Sequence, residues 1–259
     1  MLSGQSVFPE AVLEYPFIRY ELNRILEGPD SSSMDAFYDK LDALMFSGHG
    51  KISIVHMGGS HVQADVISGR IRERLQTFYP GNKGSRGLLF PYKVARTNNP
   101  YNYYVSYSGD WDYAKNVQRS PSVDLGLTGM AVTTRDSAAT IRIRLASESA
   151  PANDFNFIRL FEGRDTNLFS VRLPELDSAE ETYRIFRKPG SGYTEIFLEN
   201  YHGEVLLEWY PKDSSQTHYE LLGIQLENED PGITYHSIGV NGAGTYSYLG
   251  CAYLQEDLA

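Results

Sequence analysis

Two stretches of the chain carry the same local pattern: a short apolar strand, a glycine turn and a helical run. The first is KISIVHMGGSHVQADVISGRIRERLQ, from Lys51 to Gln76. The second is ITYHSIGVNGAGTYSYLGCAYLQEDLA, from Ile233 onward. In the first, a β-branched run meets Gly58, Gly59 and Ser60, and then Val62, Val66, Ile67, Ile71 and Leu75 recur at helical spacing. Arg70, Arg72, Glu73 and Arg74 fall largely on the other face. In the second, Thr245, Tyr246, Leu249, Tyr253, Leu254 and Leu258 mark one amphipathic helix. Between the two stretches, from about Tyr101 to His236, no long helical pattern occurs. ATIRIRLA alternates cleanly, and NFIRLF, LFSVRL, TEIFLEN, EVLLEWY and YELLGIQLE follow between turn-forming clusters. Strands at intervals of about 8–12 residues with turn signals predict a β-sandwich or jelly roll. The economical architecture is an α/β domain with an all-β domain inserted into it. The expected segments are 1–95, first part of the α/β domain; 96–235, the inserted sandwich; and 236–259, the return to the α/β domain.

Ahead of the first strand, residues 8–46 read as mostly helical. Met34, Phe37, Leu41, Leu44 and Met45 form a stripe that Ser32 or Ser33 can cap. At the other end, the final helical run stops without a capping signal. Two parallel strands are also few for a sheet with helices on both faces. The pattern therefore reads as an α/β domain that ends early.

Bulk properties exclude several functions. The 259 residues suffice for a large core, and the formal net charge is −10 with no cluster of Lys and Arg. That balance argues against nucleic acid and anionic membranes as partners. Cys251 is the one cysteine, so no internal disulfide forms, and no Cys/His spacing suits zinc. No apolar run approaches the roughly 20 residues of a membrane span. The N-terminal MLSGQSVFPEAVLEYPF lacks the basic start and apolar middle of a signal peptide. The protein is then cytoplasmic, or the written chain begins after processing. The 19 tyrosines against 2 tryptophans suit half-buried strands and carbohydrate or protein contacts alike.

Ser60 admits three readings. A phosphate loop needs G-x-x-x-x-G-K-[ST], and no Lys follows the glycines before the helix. A plain helix cap needs only a small polar residue there. A nucleophile needs exposure at the C-terminal end of a strand, backbone N–H groups facing a developing oxyanion, and a base. GGSH supplies the first conditions, and GVNGAG in the equivalent place of the next α/β unit supplies a further N–H.

HMGGSHVQADVISGRIRERLQ, then RGLLFPYKVARTNNP, and later IGVNGAGTYSYL together resemble the SGNH (GDSL-type) hydrolase superfamily. The branch most similar is that of bacterial peptidoglycan O-acetylesterases, which carry G-D-S-H-x-Q at the nucleophile and a carbohydrate-binding-module-like jelly roll between the first two blocks. The resemblance implies part of a three-layer α/β/α fold with the inserted jelly roll. It implies Ser60 as nucleophile and Gly242 as the second-block glycine whose N–H joins that of Ser60 in the oxyanion hole. The implied reaction is removal of O-acetyl groups from a glycan or peptidoglycan through an acyl-serine, with no metal or organic cofactor, and the implied compartment is the periplasm or another exported location.

The chain departs from the family pattern in two places. Gly59 stands where the family has Asp. Neither the G-x-N-D block, with its oxyanion-hole Asn, nor the D-x-x-H block, with its base and orienting acid, follows Gly242. Glu199-Asn200-Tyr201-His202 precedes Gly242 and reads as a hairpin pair. Asn153-Asp154 reads as a turn. His56 reads as a satisfied strand histidine, His61 as a packed or capping one, and Gln63 and Asp65 as helix-start residues. Arg86, Tyr92 and Asn98 are candidates to line the cleft. The chain by itself is therefore expected to be a weak esterase or an inactive one, completed by a further C-terminal segment or a separate chain. The competing reading is a glycan-binding sandwich with a vestigial hydrolase part, using Tyr101, Tyr103, Tyr104, Tyr107, Trp111 and Tyr113 as stacking surfaces.

Overall fold

A computed structural model describes residues 15–22, 34–146 and 153–258. Ser32 and Ser33, the expected caps, lie outside them. Helix α1 spans Asp35–Asp42 and runs into one π-helical turn, Ala43–Ser47, that ends at Gly48 in the left-handed region. From its expected stripe, Leu44 is buried, with Phe37 and Leu41 beside it, against Ile52, Ile233 and Phe78.

Strand β1 (Lys51–Gly58) follows, then α2 (Ser60–Gln63), α3 (Val66–Thr77) and the short β2 (Gly87–Leu89). The sandwich strands are β3 (Tyr103–Ser108), β4 (Asp112–Lys115), β5 (Met130–Thr134), β6 (Thr140–Leu145), β7 (Phe155–Glu162) and β8 (Ser170–Arg172). After α4 (Pro174–Ser178) come β9 (Tyr183–Arg187), β10 (Tyr193–His202), β11 (Glu204–Tyr210) and β12 (Tyr219–Glu227). Strand β13 (Gly232–Gly239) returns to pair with β1 in parallel, Lys51 opposite Gly232 and Gly58 opposite Gly239. It starts ahead of the 235/236 boundary expected from sequence.

The antiparallel strands form two sheets. One runs β4-β5-β12-β7-β10-β9, with β2 added beside β5 on the same edge of β12. The other runs β3-β6-β11-β8. Alternation set this up: Ile141, Ile143 and Leu145 of β6 and Val205, Leu207 and Trp209 of β11 all turn into the core. Trp209 meets Tyr219 of the other sheet, with ring centroids 5.1 Å apart, and Trp111 at 5.3 Å. Removing a ring so buried costs about 3–5 kcal/mol. The same core takes in Ile238, Val240, Tyr248 and Leu254, so the parallel pair rests on the sandwich. The molecule is thus a mixed α/β structure with several antiparallel strands around a large core, and a smaller cluster lies under α1.

Two expectations require correction. Three of the five stripe residues face outward, Val66 at 60% exposed, Ile67 at 58% and Ile71 at 36%, while Val62 is buried and Leu75 packs against the Leu44–Ile52–Ile233 cluster. The polar side, with Ser68, Arg72 and Gln76, is the buried one. Arg72 explains the inversion. Its guanidinium pairs with buried Asp65 at 2.9 Å and donates to the Tyr235 carbonyl and the Ser237 hydroxyl of β13. Gln76 likewise donates to the Ile233 carbonyl at 2.9 Å. Backbone acceptors along β13 thus select the polar side of the helix. The second correction concerns the last helix, which is two: α5 (Thr245–Leu249) and α6 (Leu254–Leu258). Tyr253 donates its N–H to the Leu125 carbonyl of the sandwich at 3.1 Å, not to a preceding helical turn. Asp257 accepts the Leu127 N–H and pairs with Arg164, both within 2.9 Å.

Candidate active site

Ser60 is exposed and is the first residue of α2, directly beyond the C-terminal end of β1. Gly59 is the N-cap and makes no side-chain bond, so Ser60 does not cap the helix. The Gly59 carbonyl accepts the N–H groups of Val62 and Gln63. Among the described residues neither the Ser60 hydroxyl nor its N–H has a hydrogen-bond partner, as a first-turn N–H need not. A serine so placed sits where a helix N-terminus favours negative charge.

The Val240–Gly244 turn closes against it. A Cβ on Gly59 would stand 3.0 Å from the Ala243 carbonyl oxygen, so the two turns are in contact. An Asp at residue 59 needs that carbonyl to give way by a few tenths of an ångström. Gly242 has φ +84, which glycine adopts at no steric cost, and its N–H has no partner among the described residues.

Three buried groups hold the turns together. The Gln63 side chain accepts the Asn241 N–H at 2.7 Å and donates to Thr97 Oγ1 at 3.1 Å and the Asn98 carbonyl at 3.0 Å. The Tyr92 hydroxyl donates to the Gly239 carbonyl at 2.7 Å, and that of Tyr248 to the Gly58 carbonyl at 2.8 Å. Burial raises the pKa of both phenols, which keeps them as donors. Gly239 leaves room for α2: a Cβ there would lie 2.0 Å from the Gln63 nitrogen.

Asp65 underpins the site. It holds φ +53 and accepts from Arg72, Arg86, Ser68, Asn102 and Ser237. Burial alone would raise its pKa, but Arg86 and Arg72 hold it well below the ordinary carboxylate range. Arg86 and Tyr92 are therefore buried supports, and Asn98, though exposed, contributes its carbonyl to Gln63. In the residue pattern Gln63 and Asp65 stand out only as helix-start residues. The Gln at the third position after Ser60 was the available signal for the first, and nothing in the pattern marked the second.

The histidines are dispersed. His61, expected to be packed or capping, is exposed and without a side-chain partner among the described residues. His56 is half-buried and shares a 2.6 Å hydrogen bond with the Tyr235 hydroxyl. His202, on the far part of β10 where the pairing with β7 shifts register between Phe197 and His202, sits 3.2 Å from Glu181. Asp154 lies in the loop before β7, where its carbonyl accepts from Asn228 at 3.0 Å. No His, Asp or Glu side chain hydrogen-bonds Ser60 among the described residues. None of their His, Cys, Asp and Glu side chains gather into a metal-binding group. No helix among them is long and apolar enough to cross a membrane.

No family model matches the chain, and no curated protein matches it by sequence. Among solved structures it is similar to one described as "Peptidoglycan O-acetylesterase in action", with a TM-score of 0.57 and 18% identity. That match covers 82% of this chain and 53% of the other. A Streptococcus pneumoniae β-galactosidase structure matches at a TM-score of 0.32 and 6% identity, over 50% of this chain and 98% of that one. The chain therefore has an esterase-like fold over most of its described length and spans about half the length of that esterase.

Proposed function

We propose that Ser60 is the nucleophile of an SGNH-type serine esterase that removes O-acetyl groups from a glycan or peptidoglycan. The observation that carries this reading is the exposed, unpartnered Ser60 hydroxyl at a strand-to-helix turn that abuts the Gly242 turn. Ser60 Oγ attacks the acetyl carbonyl and gives up its proton to a base. The carbonyl oxygen becomes an oxyanion facing the N–H groups of Ser60 and Gly242. Collapse expels the sugar oxygen, which takes a proton and leaves as a hydroxyl. Water then releases acetate from the acyl-serine. The base and the oxyanion-hole Asn come from a further segment or a separate chain, and the residues described here give weak turnover or none. The part between β3 and β12 is read as a jelly roll that serves the glycan.

Intact mass after prolonged incubation with a fluorophosphonate tests the nucleophile. One adduct, lost in Ser60→Ala, is expected. No adduct, or an adduct that persists in Ser60→Ala, overturns the assignment. The competing reading, a glycan-binding sandwich with a vestigial hydrolase part, draws on the exposed rings of Tyr101, Tyr104 and Tyr107, whereas Tyr103 and Trp111 are buried packing residues. Glycan retention in an affinity gel without any Ser60 adduct favours it.

A further inference from the structure

Strand β9 is an outer strand of the larger sheet. Strand β10 pairs with it on one side, and among the described residues no strand pairs with it on the other. The hydrogen-bonding phase shows which backbone groups that open edge presents. Glu199 donates its N–H to the Thr182 carbonyl, and the register continues with Phe197 opposite Arg184 and Glu195 opposite Phe186. In an antiparallel ladder, alternate residues turn their N–H and C=O groups to the same neighbour. Thr182, Arg184 and Phe186 therefore bond to β10, and the backbone groups of Tyr183, Ile185 and Arg187 point away from the sheet.

The edge is apolar as well as open. Ile185 is 37% exposed although its partner across the ladder, Ile196, is fully buried. On the other side of the strand Phe186 is 54% exposed, and its ring meets that of Phe197 at 5.6 Å. These two rings border a cleft of about 770 Å³ that also takes in Lys51. Lys51 begins β1, and Ser60 lies past the other end of that strand, so the edge is remote from the candidate site. An exposed apolar edge of this kind is a template for a further strand.

The order of charges identifies that strand. Glu180 and Glu181 precede β9, and Arg187 and Lys188 close it. Arg187 is engaged inward, 2.7 Å from Glu162. Glu180, Arg184 and Lys188 are exposed and make no ion pair among the described residues. An acidic start and a basic end complement the same strand run antiparallel, whereas a parallel copy would set like charges side by side. Pairing about Ile185 places that residue opposite itself, each copy donating its N–H and accepting the other's, as a two-fold axis requires. It also sets Arg184 over Phe186 of the second copy, and Lys188 diagonal to Glu180 of the second copy.

We infer that β9 is a self-association edge, through which two copies of this chain join by antiparallel β9 strands about a two-fold axis at Ile185. The larger sheet then runs unbroken through both copies. Nothing in this pairing depends on the role of Ser60.

Sedimentation velocity of the full chain over a wide concentration range, with hydrogen exchange at its two ends, tests it. The mean mass is expected to rise from monomer toward dimer with concentration. Exchange in the β9 peptide is expected to slow at the high end, while that of β4, the other outer strand of the sheet, stays the same. Ile185→Pro removes the outward N–H and leaves the bonds to β10, so it is expected to weaken dimerisation at least tenfold. Lys188→Glu alters an exposed side chain, and is expected to weaken dimerisation with an unchanged melting temperature. Adding Glu180→Lys to Lys188→Glu restores the opposite charges and is expected to recover the dimer. A monomer at every concentration overturns the inference. A dimer whose β9 exchange does not slow, or one of wild-type strength in both Ile185→Pro and Lys188→Glu, overturns it too.

Discussion

Gln63, three residues past the candidate nucleophile, accepts the backbone N–H of Asn241, next to Gly242 in sequence, at 2.7 Å. Its amide nitrogen meanwhile holds the Thr97–Asn98 loop. One buried side chain thereby fixes the distance between the two turns that carry Ser60 and Gly242. Gln63→Ala is expected to cost about 1–3 kcal/mol by leaving these groups unpaired. It is also expected to slow fluorophosphonate labelling of Ser60. Gln63→Glu keeps the acceptor for Asn241 but loses the donors, so its labelling rate should fall less. A lower melting temperature with an unchanged labelling rate in Gln63→Ala would reduce the residue to a packing role.

Gly239 is expected to tolerate no side chain. In Gly239→Ala the new methyl collides with the Gln63 backbone, 2.0 Å away, and neither strand nor helix can retreat without breaking the parallel pairing. Urea unfolding should show a loss of at least about 2 kcal/mol. Gly203→Ala, with nothing within 4 Å of the added carbon, is the matched control and should change little.

Asp65 gives a pH signature. Its folded pKa lies below the ordinary value, so the unfolded chain binds the proton more readily. The stabilisation is complete above the unfolded value near 4 and is lost as pH falls toward the folded one. Asp65→Asn leaves Arg72 and Arg86 buried without their counter-charge, an expected loss of about 3–5 kcal/mol at pH 7. The gap to wild type should shrink by about 1 kcal/mol at pH 3. Equal gaps at both pH values would count against the ion-pair account.

His236 acts over a higher pH range. Burial lowers its pKa to about 4, and its Nδ1 accepts the Leu88 N–H at 3.0 Å, which requires the neutral ring. Unfolded, the ring takes its proton near 6.5; folded, it resists until about 4. Stability therefore falls as pH drops through that window, by about 2 kcal/mol between pH 7.5 and pH 5. His236→Asn keeps an acceptor for Leu88 and cannot titrate, so its denaturation midpoint should lose this slope. A slope equal to wild type would exclude His236 as the cause.

Much of the frame could be read from residues in order. The β1 strand, its glycine turn and the helix behind it follow from β-branched, glycine and 3.6-residue patterns, and β6 and β11 from alternation. The α3 orientation could not be read that way. Periodicity shows that Val66, Ile67 and Ile71 share a side, but it does not say which side meets protein. Here Asp65, Arg72 and Arg86 are buried because they satisfy one another, together with the Tyr235 carbonyl and the Ser237 hydroxyl of β13, which are far away in sequence. The break between α5 and α6 escaped for a similar reason. The Leu125 carbonyl that takes the Tyr253 N–H lies over a hundred residues earlier, and no local signal announces it. For the candidate site, the turns at Ser60 and Gly242 stand out in the residue order, whereas the links that hold them together, Gln63 to Asn241 and Tyr92 to Gly239, join residues 178 and 147 positions apart and carry no local signal.

The pairing of Lys51 with Gly232 also predicts an order of events during folding. Closing so long an intervening chain is entropically slow unless the sandwich has already drawn the ends together. Both tryptophans, Trp111 and Trp209, lie in that sandwich and touch each other, so their fluorescence reports its assembly. On this reading the turn bearing Ser60 would gain its shape only after β13 had docked beside β1. A refolding molecule would therefore complete its fluorescence change first and become reactive at Ser60 afterwards, and until then its hydroxyl would be one serine among many.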